Sequence, residues 1–545
     1  MDRCLKRVLN EEAKITGIFF FMAFFRVWPK APFNKQYKMK RKFKTIRVYA
    51  LLFIALCAIR INSSAQEIPS LKVKISVSQQ VIDSFLQGGR LILHLKHNLK
   101  DHSGISIGVT PNYWDPSSPF IINTRNKNVM AVGLQKLQGY NGEKYYYQVY
   151  YKQIPDDAGE NVPGNLSSGI DSFILSKVGN LALALNHVIP PYNIVDNKFV
   201  KTVVVKSNYL SDFSGRPRYL RASILLPSGY FDHPGKTYPI CYSAPGLNGR
   251  YNAVNRLLSN KVFTDWWFST TAPQIIYVFL DSQGPYGDTY QVDSDNNGPC
   301  GKALTEELIP AIEKLVHYKP ETKMRFLAGH STGGWVALGL QIFYPDFFDG
   351  CWSYSPDPVD FEHFGLINIY DDESIFYNRY GYLQPGKRTI YGEPTFSMKD
   401  WIAGENINSR TNDYRISGGQ FGAYNAVFGP KGKDGLPTLM FDPVTGKIDH
   451  AIAKKWEKYD LKKVLEKNWS TLGPKLQGKI WIWMGDMDGL YSNVATRFLK
   501  AFLDKTENPI SDAKILFSPM EGHTQEWSDK GVLTLISKRV VEMNK

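Results

Sequence analysis

Gly329-His330-Ser331-Thr332-Gly333 sets a serine between two glycines. The Gly-x-Ser-x-Gly spacing suits a sharp turn that projects a hydroxyl outward, the flanking glycines relieving the crowding. A serine hydroxyl is a poor nucleophile at neutral pH and needs a base to take its proton. His523, in the glycine-bearing stretch Met520-Glu521-Gly522-His523-Thr524, is the expected base, since few of the ten histidines fall on a loop after a late strand. The base in turn needs a carboxylate to orient it and to stabilise the imidazolium. Met484-Gly485-Asp486-Met487-Asp488 offers two. Asp488 is preferred, because it stands in a Gly-x-x-Asp arrangement ahead of a helix expected to start near Asn493; Asp486 is the alternative, and Asp357 and Asp360 are outside candidates. An oxyanion needs two backbone N–H donors. Thr332, directly after the serine, should supply one, and Leu247 in Ala244-Pro245-Gly246-Leu247-Asn248-Gly249 the other. His330 is read as a wall or packing residue. Together these groups could carry out acyl transfer through a covalent acyl-enzyme.

The chemistry requires a strand, a turn and a helix around the serine. Residues 324–328 read as a short buried strand, and the helix begins at about Gly334. Its N-terminus would present free N–H groups and a positive dipole end to a developing negative charge. From about residue 208 strands and helices alternate, which predicts an α/β sheet. Strands are expected at 219–226, 238–243, 275–280, Gly350–Tyr354, 480–484 and 515–517, and a last helix at 530–542. A helix over 303–318 would place Leu304, Leu308, Ile312 and Leu315 on one face. Between 362 and 475 the alternation breaks down into a stretch rich in Gly, Asn and aromatic residues. Either it is a cap over the strand C-termini, or a decoration with a small core of its own. Asp442-Pro443-Val444-Thr445-Gly446 within it reads as a plain turn. Residues 66–207 read as mostly β, with period-two alternation in 71–77 and at Leu91, Leu93 and Leu95, and predict an N-terminal β-sandwich. That domain would be a packing module or, given its tyrosines, a glycan-binding one. The α/β domain would then run from 208 to 545.

The net charge of +14 points at first to nucleic acid, but its distribution excludes that. Residues 1–65 hold 14 Lys/Arg against three acids, which leaves only +3 for the remainder. The charge belongs to a leader. Lys40-Arg41-Lys42-Phe43-Lys44 precedes an apolar core over 48–59, too short for a membrane span, and Ser63-Ser64-Ala65 would be cleaved before Gln66. Met39 is the expected true start. The chain should therefore be secreted or periplasmic, with no membrane span once the signal is removed. Beyond the leader only Cys241, Cys300 and Cys351 remain, an odd number that builds no disulfide framework, and no Cys/His spacing suggests a metal. No organic cofactor is expected either.

Several of these stretches, taken in order, resemble the esterase D-like family of α/β-hydrolases, which includes feruloyl, acetyl-xylan and ferric-siderophore esterases. The marks are Tyr238-Pro239-Ile240 leading to Pro245-Gly246, Val292-Asp293-Ser294 with Asn297-Gly298, Glu306-Glu307-Leu308-Ile309-Pro310, the serine motif, Tyr344-Pro345-Asp346-Phe347-Phe348, Gly485-x-x-Asp488 and Gly522-His523. The resemblance covers about 215–360 and 476–530, and it implies ester hydrolysis by Ser331, Asp488 and His523. Pro245 stands where family members often have a histidine before the oxyanion glycine, and the 362–475 insertion is a further departure. The expected substrate is a small-molecule or polysaccharide ester, with a sugar-linked acetyl or aromatic acyl group favoured. A serine peptidase with the same triad order, or a catalytically silent glycan-binding protein, would be the alternatives.

Overall fold

The apolar runs from residue 200 onward assemble into one eight-stranded sheet in the computed structural model. It describes residues 70–544 apart from 100–103, 140–141 and 175–179; the stretch 1–65, expected to be a leader with a signal, lies outside the described residues. The strands are β1 (Val200–Ser207), β2 (Arg218–Leu225), β3 (Ile240–Ala244), β4 (Ile276–Leu280), β5 (Arg325–His330), β6 (Gly350–Tyr354), β7 (Ile480–Gly485) and β8 (Lys514–Ser518). Their order across the sheet is β1-β2-β4-β3-β5-β6-β7-β8. β2 runs antiparallel to both neighbours and the pairs from β4 to β8 are parallel. β3 to β6 are buried on both faces apart from the ends of β5, as parallel strands covered by helices must be. This is an α/β-hydrolase-type sheet, as expected. One boundary differs. Val200–Ser207, assigned from sequence to the N-terminal domain, pairs along its full length with β2. A domain limit at 207 would therefore strip the sheet of its edge strand.

The helical stretch at 303–318 also differs. It consists of Cys300–Ala303, a π-helical turn at Leu304–Leu308, and Ile309–Leu315. The wider turn advances the phase, so Ile309, Ile312 and Val316 are buried and Leu315 is 44% exposed.

Upstream of β1 the chain forms two further sheets. Lys72–Val77 lies between Phe120–Asn123 and Asn180–Leu185. Arg90–Lys96 and Lys144–Lys152 are the central pair of a six-stranded antiparallel sheet. Val73, Ile75, Leu91, Leu93, Leu95, Val149 and Leu183 share one core between them. Lys72–Val77 alternates exposed and buried residues, as its sequence predicts.

Arg90–Lys96 does not alternate; its first four residues are all buried. Its second face is covered by a helix of the insertion, α2 (Met398–Asn408), which follows in the chain the helix after the serine, α1 (Thr332–Phe343). Arg90 is fully buried there, with no carboxylate partner among the described residues. Its Nε donates to the Ile407 carbonyl at 2.9 Å, and Nη1 donates to Asn412 Oδ1 at 2.7 Å and Thr110 Oγ1 at 3.1 Å. Burial lowers its pKa to about 10. Replacing it with methionine keeps most of the volume but leaves these acceptors unpaired. Arg90→Met should destabilise the protein by about 3 kcal/mol in a urea titration; an unchanged midpoint would show that the contact contributes nothing.

The insertion occupies the connection between β6 and β7, which are adjacent and parallel. It carries α2, α3 (Gln420–Phe428) and α4 (Leu461–Leu476). It has no separate core. Phe421, Tyr424, Phe428 and Trp456 belong to the same buried cluster as Trp335 and Leu338 of α1. Glu405 of α2 caps α3, its carboxylate accepting from the N–H groups of Phe421 and Gly422 at 2.9 Å each. Burial raises the Glu405 pKa, against the hydrogen bonds that lower it. Two more helices, α5 (Ser492–Leu503) and α6 (Asp529–Met543), follow β7 and β8. Among the described residues no helix is long and apolar enough to cross a membrane. Cys241, Cys300 and Cys351 are buried free thiols.

Candidate active site

β5 ends at His330 and α1 begins at Thr332, so Ser331 alone makes the turn. Its backbone sits at φ 57°, ψ −127°, a strained conformation for a residue with a side chain. Its N–H donates to the Tyr354 carbonyl at the end of β6, 2.9 Å away, which anchors the turn. The second glycine is required by space. A Cβ on Gly333 would run into the carbonyl of Ala244, where the loop after β3 crosses the elbow.

His523 lies on the loop after β8. Its Nε2 is 2.9 Å from Ser331 Oγ, and its Nδ1 is 2.6 Å from Asp488 Oδ2. A carboxylate only accepts, so Nδ1 carries the proton and Nε2 is free to accept the serine O–H. Asp488 is fully buried, and its Oδ1 accepts from the N–H groups of Leu490 at 2.9 Å and Ser492 at 3.1 Å. Burial alone would lower the His523 pKa; the hydrogen bond and charge of Asp488 outweigh it, and the net shift is upward.

The other carboxylates have different partners. Asp486 forms an ion pair with Arg497 on the surface side of α5. Asp360 accepts from His363 Nδ1 at 2.8 Å. Asp357 is 1% exposed, and its Oδ2 accepts from Tyr290 OH at 2.6 Å, Thr332 Oγ1 at 2.9 Å and Gln420 Nε2 at 3.0 Å. Burial pushes its carboxyl above the usual range despite those bonds. Asp357 thus ties the serine turn to the insertion.

The two expected oxyanion donors meet one requirement. Neither Leu247 nor Thr332 spends its backbone N–H on a hydrogen bond among the described residues. The loop carrying Leu247 packs directly on the elbow, and a Cβ on Gly246 would come within 3.0 Å of the His330 ring. The His330 ring packs against that of Trp527, 5.0 Å away. Burial lowers its pKa to about 4, so it is neutral. A cavity of about 410 Å³ borders the elbow on this side, lined by Ala244, Gly246, Leu247, His330, Trp527 and Asp529.

Three supporting residues were not legible in the sequence. Arg388 of the insertion donates from Nε to the Asp488 carbonyl at 3.0 Å and from Nη2 to Asn493 Oδ1 at 3.2 Å, with its guanidinium over the Tyr491 ring. Gln420 joins the Asp357 cluster. Ser355, directly after β6, accepts from the Thr524 N–H at 3.2 Å and so holds the loop of His523. Only Ser355 carried a local signal, its place at the end of a strand.

A serine at a strained strand-to-helix turn, hydrogen-bonded through histidine to a buried aspartate, on an α/β-hydrolase-type sheet, defines the class of serine hydrolases. Within that class the chain belongs to the Esterase family, described as putative esterase, whose profile matches residues 216–524. It is an ester-hydrolysing serine hydrolase. No curated protein matches it in sequence. Among solved structures it is similar to a ferulic acid esterase, at 14% identity and a TM-score of 0.39, over 63% of this chain and 97% of that one. It is also similar to the fluorophosphonate-binding serine hydrolase FphF of Staphylococcus aureus, at 13% identity and a TM-score of 0.36, over 63% and 98%. An S-formylglutathione hydrolase from Agrobacterium tumefaciens shares 12% identity, with a TM-score of 0.32, over 64% and 95%. Likeness this remote assigns no substrate.

Proposed function

We propose that this protein is an exported serine esterase that hydrolyses acetyl or feruloyl esters on polysaccharides through an acyl-enzyme. The observation that carries the reading is the hydrogen-bonded chain from Ser331 Oγ through His523 to Asp488. His523 Nε2 takes the serine proton as Oγ attacks the ester carbonyl, and the same proton then leaves with the alcohol. Water repeats the sequence on the acyl-enzyme and frees the acid. Asp488 holds the imidazole tautomer and stabilises the imidazolium. The N–H groups of Thr332 and Leu247 hold the tetrahedral oxyanion. Export rests on the basic and apolar pattern of residues 40–65. In this reading the two upstream sheets form a β-sandwich module, and the insertion is a cap over the C-terminal ends of the strands.

The test is a screen of the protein lacking residues 1–65 against acetylated and feruloylated oligosaccharides, alkyl esters and peptide substrates. Hydrolysis of the sugar esters with no cleavage of peptides is the expected result. Cleavage of peptides with the esters untouched would replace the reading by that of a peptidase.

A further inference from the structure

The upstream sheets, the loop after β3 and the insertion converge on a polar cleft of about 500 Å³, within the range of small-molecule binding sites. Lys152 and Asn161 line it from the upstream region, Asn248, Arg250 and Asn252 from the loop after β3, and Asn408 from the end of α2. Two of its wall residues are chain neighbours of residues at the site. Asn248 directly follows Leu247. Gly419, also on its wall, directly precedes Gln420, whose side chain bonds Asp357 beside the serine turn.

The charged groups on this wall have partners within the protein, Glu160 among them, 3.1 Å from His94 Nε2. Arg250 is paired with Asp157 and with Asp281, the latter at 3.0 Å from its Nε. Lys152 Nζ donates to the carbonyls of Asn408 at 3.2 Å and Ser417 at 3.4 Å, and burial lowers its pKa to about 8, against the raising influence of Glu160. Little charge is left to attract an ion. What remains free is amide. Among the described residues Asn408 Oδ1 is buried without a hydrogen-bond partner, and Asn252 stands before the helix Ala253–Ser259 without capping it. A buried amide oxygen with no donor is unfavourable unless a ligand supplies one. Neutral amides that both donate and accept match hydroxyl groups, which do the same.

We propose that this cleft binds the alcohol side of the ester, a neutral polyhydroxy group such as a glycosyl unit, and that the upstream region therefore forms part of the substrate site. The proposal rests on the esterase reading of Ser331. The acyl group is left to the cavity of about 410 Å³ beside His330, which shares Arg250 with the cleft.

Asn408→Leu removes the free amide, and Asn161→Trp fills the cleft from an exposed position that the fold tolerates. Steady-state kinetics on an acetylated xylo-oligosaccharide and on p-nitrophenyl acetate should separate the effects. Both variants should lose about tenfold or more in kcat/KM on the oligosaccharide, mainly through KM, the worth of one or two ligand hydrogen bonds, with p-nitrophenyl acetate unchanged. Equal losses on both substrates, or none on either, would overturn the proposal and leave the esterase reading standing. So would methyl ferulate turned over as well as a feruloylated sugar. Turnover of p-nitrophenyl acetate that survives Ser331→Ala would remove the esterase reading, and this proposal with it.

Discussion

Ser331→Ala should lower kcat/KM for p-nitrophenyl acetate by about 10⁵-fold and abolish labelling by a fluorophosphonate probe. The substitution removes the atom to which His523 Nε2 is hydrogen-bonded, 2.9 Å away, and with it the acyl-enzyme route. The backbone should survive, because alanine meets the same φ of 57° that serine does, and the anchoring bond to Tyr354 comes from the main chain. Some rate over water should remain, since the unspent N–H groups of Thr332 and Leu247 would still polarise a bound carbonyl. Thermal melting distinguishes a folded, inactive protein from an unfolded one. A folded variant with full activity would mean that the nucleophile lies elsewhere.

Asp488→Asn should cost about 10⁴-fold in kcat, while Asp486→Asn should leave kcat within about twofold. The contrast follows from their partners. Asp488 touches His523 Nδ1 and is buried, whereas Asp486 is held by Arg497 near the surface. An asparagine at 488 presents either an N–H toward Nδ1, forcing the wrong tautomer, or a neutral oxygen that no longer stabilises the imidazolium. The pH profile gives a second readout. His523 acts as a base only when neutral, so activity falls on the acid side as its pKa is crossed, and Asp488 holds that pKa above the ordinary histidine value. In Asp488→Asn the residual activity should therefore keep its acid limb at a lower pH than in the parent. A larger loss at Asp486, or an unmoved acid limb, would reverse the assignment.

Local patterns carried much of this in advance. The serine turn, its strand and helix, the strands at 350 and 480 and the loop of His523 all rest on contacts between near neighbours, or on apolar runs with one available meaning. The preference for Asp488 over Asp486 rests on the Gly-x-x-Asp spacing and on the helix that follows. What escaped depends on chain brought from far away. Leu315 is exposed because a π turn shifts the helical phase, which no apolar repeat announces. Val200–Ser207 is a short β-branched run that reads as a strand, but its sequence does not say which sheet it joins. Arg388, Gln420 and Arg90 are ordinary polar residues until the insertion folds back and gives them partners across gaps of tens to hundreds of residues.

The insertion brings its aromatic residues into the same core as Trp335, behind the serine. A hinge that lifted it would have to expose Phe421, Tyr424 and Phe428, which is a partial unfolding and not a gating motion. The insertion therefore takes its place when the chain folds and keeps it through turnover. In such a molecule selectivity is inherited from stability: a substitution that loosens the packing around Phe428 should broaden the range of esters accepted before it abolishes activity.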